Sequence, residues 1–142
     1  MLTFIVENTR ELLQKKKQKL IASVTTATME GDLAVLALAG KIDSSSAALL
    51  DARIQELSGQ GIRKLVLDLR DVTSMDSAGL GEVIAVYNRY ATLGGEVCVA
   101  ALSSRLKLLF EYAKLHFIFR IFVDVPSATD YLRTSRGPSN AE

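Results

Sequence analysis

Short apolar runs alternate along this chain with stretches whose apolar residues recur every three or four positions. IASVTTAT at 21–28 is rich in β-branched residues, MEGD at 29–32 supplies a turn, and LAVLALAG at 33–40 follows. This predicts an antiparallel hairpin whose second strand is buried on both faces. The period then changes in KIDSSSAALLDARIQELSGQG at 41–61. Asp43 and the serines after it are N-cap candidates, Ala47, Leu50, Ile54 and Leu57 mark a helical face, and Gly59 and Gly61 end it.

RKLVLDLRDV at 63–72 predicts a buried central strand over Lys64–Leu69. Next comes TSMDSAGLG at 73–81, opening a helix from Ser77 to Leu93 that Gly94-Gly95 closes. EVCVAAL at 96–102 reads as another buried strand. Ser103 then caps a helix with Leu106, Leu109, Phe110 and Ala113 facing inward. FIFRIFVD at 117–124 predicts a last short strand, and SATDYLR at 127–133 a last helix. The order β-β-α-β-α-β-α-β-α defines an α/β domain with about four helices. Its expected sheet is mixed and mostly parallel, with an antiparallel N-terminal hairpin and right-handed crossovers. Functional loops belong where strands give way to helices, which selects 41–46 and 73–81.

A length of 142 residues fits one domain. No apolar run approaches the ~20 residues a membrane helix needs. The first residues place apolar positions before basic ones, the reverse of a secretory signal. With Cys98 the only cysteine, no disulfide framework exists, and a cytoplasmic setting is expected. Cys98 itself reads as a small buried hydrophobe. The net charge of +1 conceals an asymmetry: residues 1–20, with Arg10, Lys15, Lys16, Lys17 and Lys19 against Glu7 and Glu11, carry +3, and the remainder −2. Residues 1–20 are therefore set apart as a basic extension, 21–133 as the domain and 134–142 as a flexible tail. The acidic balance of the domain argues against direct DNA binding.

The loop at 73–81 offers several chemistries. A hydrolytic serine needs a G-x-S-x-G elbow and a histidine, but Ser77 lies in M-D-S-A-G. The only histidine, His116, sits in the apolar LHFIF, the setting of a packed residue rather than a base. A phosphate cradle fails because Ile84 and Ala85 stand where G-x-G-x-x-G wants its third glycine, and no G-x-x-x-x-G-K-[ST] exists. Gly79 and Gly81 instead suggest close approach of the strand or of a partner. Sparse His and Cys point away from a metal site, and neither cofactor nor enzymatic activity is expected. On the residues alone, Asp76 or Ser77 caps the helix, and capping leaves Ser77 open to modification.

LALAGKID, KLVLDLRDVTSMDSAGLGEVI and GGEVCVAALSSRLKLLFEYAKL together resemble the STAS domains of bacterial anti-sigma-factor antagonists, over roughly residues 21–133. The most specific element is M-D-S-x-G-L-G after a strand ending L-D-L. The resemblance implies that Ser77 is the phosphorylated serine. It also implies partner contacts at Asp43, Ser44, Ser45, Asp76, Ser77, Ala78, Gly79 and Leu80. The unphosphorylated form would bind an anti-sigma factor that doubles as a serine kinase, releasing a sigma factor. Phosphorylation of Ser77 would end the interaction and a phosphatase would reset it. Many family members carry a second serine where this chain has Ala78, and minimal members lack the basic extension. Alternatives are a scaffold of a stress-signalling assembly or a regulatory subunit of a transport system, the latter disfavoured by the single-domain form.

Overall fold

The computed structural model of the protein describes residues 22–135. Strands β1 (Ser23–Glu30), β2 (Leu33–Ile42), β3 (Lys64–Met75), β4 (Glu96–Ala100) and β5 (Arg120–Phe122) form one sheet in the order β1-β2-β3-β4-β5. β1 pairs antiparallel with β2, and every other pairing is parallel. Helices α1 (Ala47–Gly59), α2 (Ser77–Thr92) and α3 (Ser104–Tyr112) cross between successive parallel strands, and α4 (Val125–Thr134) follows β5. Because β2 to β5 are added in one direction, right-handed crossovers put α1, α2 and α3 on the same face.

Alternation along the strands divides the core accordingly. Leu36, Leu38, Leu65, Leu67, Val97 and Val99 meet Leu50 and Ile54 of α1, Val83 and Tyr90 of α2, and Leu106 and Phe110 of α3. On the opposite face Val35, Val66, Cys98 and Ala100 pack beneath Ala128 and Leu132 of α4. β2 and β3 are thus covered on both sides, as their continuous apolar runs require. Burial in this second layer pushes the Cys98 thiol up to about 12 and keeps it protonated.

Several boundaries differ from expectation. β3 continues six residues past Leu69 to Met75, because β2 accompanies it as far as the Ile42–Met75 pairing. Register shifts along that extension break the inward-outward alternation, so its polar residues hid a strand. β4 ends at Ala100, since Ala101 turns into left-handed backbone with φ of +61°. The apolar run after α3 is mostly a 3₁₀ turn, Leu115–Phe117, in which Leu115 and Phe119 are buried and Phe117 remains 76% exposed. His116 is not packed inside: it is exposed, with its ring 4.1 Å from that of Phe117. α4 starts earlier than expected, where Asp124 Oδ1 accepts the Ser127 N–H at 2.9 Å. It runs to Thr134, and the Ser135 hydroxyl donates to Glu96 at 2.6 Å. The basic extension at 1–20 and the rest of the tail lie outside the described residues.

The Tyr90 ring is fully buried, and its hydroxyl has no hydrogen-bond partner among the described residues. An unpaired buried hydroxyl costs free energy that its ring does not need. Tyr90→Phe is therefore expected to stabilise the fold by about 1 kcal/mol, read as a higher urea midpoint at unchanged slope.

Candidate functional site

The last paired residues of β2 and β3 are Ile42 and Met75, so Asp43 and Asp76 leave the sheet at neighbouring positions. Both are extended and both cap the turn that follows. Asp43 Oδ1 accepts the Ser45 N–H at 2.9 Å and the Ser45 hydroxyl at 2.5 Å. These two bonds, the hydroxyl first, hold the Asp43 carboxyl below the usual aspartate range. Residues Ser44–Ser46 form a short 3₁₀ turn, closed when the Asp43 N–H donates back to Ser46 Oγ at 3.1 Å. At the second loop Asp76 Oδ1 accepts the Gly79 N–H at 2.9 Å, which settles Asp76 as the N-cap and Ser77 as the first residue of α2.

Ser44, Ser45, Asp76, Ser77 and Ala78 are exposed, and Asp43 and Leu80 are half-buried. The Ser77 side chain is exposed, and its hydroxyl makes no hydrogen bond to any described residue. Gly79 alone of the expected contact residues is buried. A Cβ there would lie 2.2 Å from the Ile42 carbonyl oxygen and 2.8 Å from Met75 Cγ. Its absence lets the first turn of α2 lie directly on the end of β2. Gly81 has no such neighbour: a Cβ there meets open space, so only one of the two glycines serves close approach.

Ser46, one of the serines offered as N-cap candidates, and Glu82, which the sequence did not single out, connect the Asp43 loop to α2. The Ser46 hydroxyl, on a residue 1% exposed, donates to Glu82 Oε1 of α2 at 3.0 Å. Glu82 Oε2 is buried without a partner among the described residues. Desolvation pushes the Glu82 carboxyl above the usual glutamate range, and the charges of Asp43 and Asp76 add to the shift against the Ser46 bond. The D-x-x-S spacing of a capping box could have flagged Ser46. Glu82 carried only the weaker signal of a charge next to the inward stripe of Gly79, Val83 and Val86.

Two grooves flank this helix start. One, of about 360 Å³, runs between α1 and α2 past Ala47, Asp51, Glu82, Ala85 and Arg89. The other, of about 500 Å³, lies between the end of β3 and α3, with Leu108 and Tyr112 along its wall. His116 lies after α3, just before β5 begins beside Cys98, and so at the far end of the sheet from Ser77. It stands out of reach as a base for that hydroxyl. Among the described residues no three His, Cys, Asp or Glu side chains converge to hold a metal, and no helix is long and apolar enough to cross a membrane.

A five-stranded mixed sheet with its helix-capping loops gathered at one end is the architecture of the STAS domain. The STAS domain family model matches residues 23–128, and the chain belongs to that family. It is 37% identical over 84 residues to the anti-sigma-B factor antagonist of Bacillus subtilis, covering 59% of this chain and 76% of that protein. Among solved structures, an anti-sigma factor antagonist from Mycobacterium paratuberculosis superposes with a TM-score of 0.70 at 22% identity, over 80% of this chain and 95% of that one. The Bacillus cell-fate determinant SpoIIAA in its phosphorylated form gives 0.64 at 19% identity, over 78% and 100% respectively. These two likenesses establish the fold.

The two glycines make a direct contrast. Gly79→Ala should cost about 1–3 kcal/mol by overpacking against the Ile42 carbonyl. Gly81→Ala should be neutral or stabilise by up to about 1 kcal/mol as a better helix former; urea unfolding of the pair checks both.

Glu82 gives the pH counterpart. Its folded-state carboxyl binds a proton more tightly than the unfolded chain does, so its ionisation destabilises the fold at neutral pH. Lowering the pH through the raised Glu82 value, towards the ordinary 4.5, should relieve that cost. Glu82→Gln should thus be more stable than wild type at pH 7, with the gap closing as pH falls to the ordinary range. Asp43 acts in the opposite sense, since its contribution is lost only as pH falls through its lowered value.

Proposed function

We propose that this domain is an anti-sigma factor antagonist whose docking surface is the end of the sheet carrying Asp43–Ser45 and Asp76–Leu80. Unphosphorylated, it binds an anti-sigma factor that is also a serine kinase, acting in the cytoplasm and without direct contact to DNA. Phosphorylation of Ser77 ends the interaction and a phosphatase restores it. The observation that carries this reading is the placement of Ser77. It is an exposed, unengaged hydroxyl at the first position of α2, next to a second capped loop. The name of the Bacillus subtilis relative supports the choice of partner.

The physical chemistry favours a switch that leaves the fold intact. A phosphate brings about −1.5 to −2 charges and three acceptor oxygens. At a helix start it meets first-turn N–H groups and the positive end of the dipole, which stabilise it in place. Seen by a docked partner, the same group adds like charge to a surface that already presents Asp43 and Asp76. It also adds a polar group to be desolvated. A loss of ~3 kcal/mol lowers affinity about a hundredfold.

Mixing the purified anti-sigma factor kinase with wild type, Ser77→Ala and Ser77→Asp proteins tests the proposal. Wild type should accept phosphate from ATP at Ser77. Ser77→Ala should bind without accepting it, and Ser77→Asp should bind at least about tenfold more weakly. Equal binding by both variants, with no phosphate transferred to wild type, overturns the reading.

A further inference from the structure

The Asp43 loop and α2 are joined by one side-chain hydrogen bond, Ser46 Oγ to Glu82 Oε1 at 3.0 Å. That hydroxyl also donates toward the Asp43 carbonyl at 2.7 Å and accepts the Asp43 N–H at 3.1 Å. A serine hydroxyl has a single proton, so the Glu82 carboxylate and the Asp43 carbonyl share or compete for it. Any change in what Glu82 accepts is therefore passed to the backbone of Asp43. Ser46 is 1% exposed, so water does not readily take over either bond.

Glu82 is poorly buffered against added charge. Its Oε2 is buried with no partner among the described residues, and the carboxylates of Asp43 and Asp76 both act against its ionisation. Asp51 of α1 and Arg89, lower on α2, line the same groove, and Lys41 of β2 engages Asp43 at 4.0 Å. Ser77 stands at the head of the same helix.

We propose that Glu82 is a positioning residue that carries the chemical state of Ser77 to the Asp43 loop. The inference rests on the reading of Ser77 as the phosphate acceptor. A dianion at Ser77, beside Asp76 at the head of the same helix, adds to the negative potential that already acts against the Glu82 carboxylate, which then takes a proton from solvent or releases Ser46. In either case the charge-assisted hydrogen bond to Glu82 is weakened or lost, and the Ser46 hydroxyl, keeping its proton, donates to the Asp43 carbonyl alone. The turn Asp43–Ser45 then resets. Modification of one loop thereby alters both halves of the docking surface, the second without touching it.

The full chain, without any partner, suffices for the test. Backbone ¹H–¹⁵N spectra would be compared for wild type, Ser77→Asp, Glu82→Gln and the double variant, with a carboxyl ¹³C titration of Glu82. Glu82→Gln keeps the shape and an acceptor for Ser46 and removes the charge. Ser77→Asp should shift the Asp43, Ser45 and Ser46 amides, and the shift should fall by more than about half in the Glu82→Gln background, as coupled sites require. The Ser46 amide should titrate with the Glu82 carboxyl, at a midpoint that rises in Ser77→Asp. Loop shifts undiminished by Glu82→Gln, absent on Ser77→Asp, or spread evenly over the sheet would overturn the proposal. Failure here leaves phosphate transfer and partner binding standing, whereas failure of those assays leaves the measured coupling intact.

Discussion

The carbonyl of Ile42 occupies the space that a side chain at position 79 would fill. From this contact the arrangement of the site follows. The end of β2 and the first turn of α2 can lie together only because residue 79 has no Cβ. The Asp76 N–H, 3.4 Å from the same carbonyl, then fixes where β3 gives way to helix. Asp43 and Asp76 emerge side by side as a result. Two loops more than thirty residues apart in sequence become one surface through a backbone oxygen and a missing methyl group.

Charge at this end of the sheet is held in balance. The unsatisfied N–H groups of a helix start attract negative charge, and Asp76 answers part of that demand at α2. Asp43 serves its own turn with both a backbone and a hydroxyl donor. Glu82 lacks such provision, with one oxygen partnered by Ser46 and the other without a partner among the described residues. The three carboxylates thus differ in how firmly their ionised forms are supported.

How far the sequence revealed this depended on the range of the forces involved. Element order was readable because the apolar period switches cleanly between strands such as LAVLALAG and helices such as the one through Leu50, Ile54 and Leu57. The caps Asp43 and Ser103 were readable too, since capping is decided within three residues, whereas at α2 the sequence left Asp76 and Ser77 as alternatives and the structure selects Asp76. The extension of β3 through Arg70–Ser74 was hidden, because polar residues hold strand geometry there only through pairing with β2. His116 was misjudged for the complementary reason: an apolar neighbourhood in sequence became an exposed turn in space, with Leu115 and Phe119 taking the interior. The same limit applies to the Ser46–Glu82 bond, which spans 36 positions and leaves no local pattern.

The two outer strands, β1 and β5, are the edges of the described sheet. β1 is irregular, with a register break between Thr26 and Thr28, and β5 is only three residues long. A broken or very short edge is a poor template for a further strand, because few backbone N–H and C=O groups stand in line to receive one. Strand addition by a neighbouring molecule is disfavoured at such edges. Edges of this kind favour contacts through side chains and helix ends over backbone pairing.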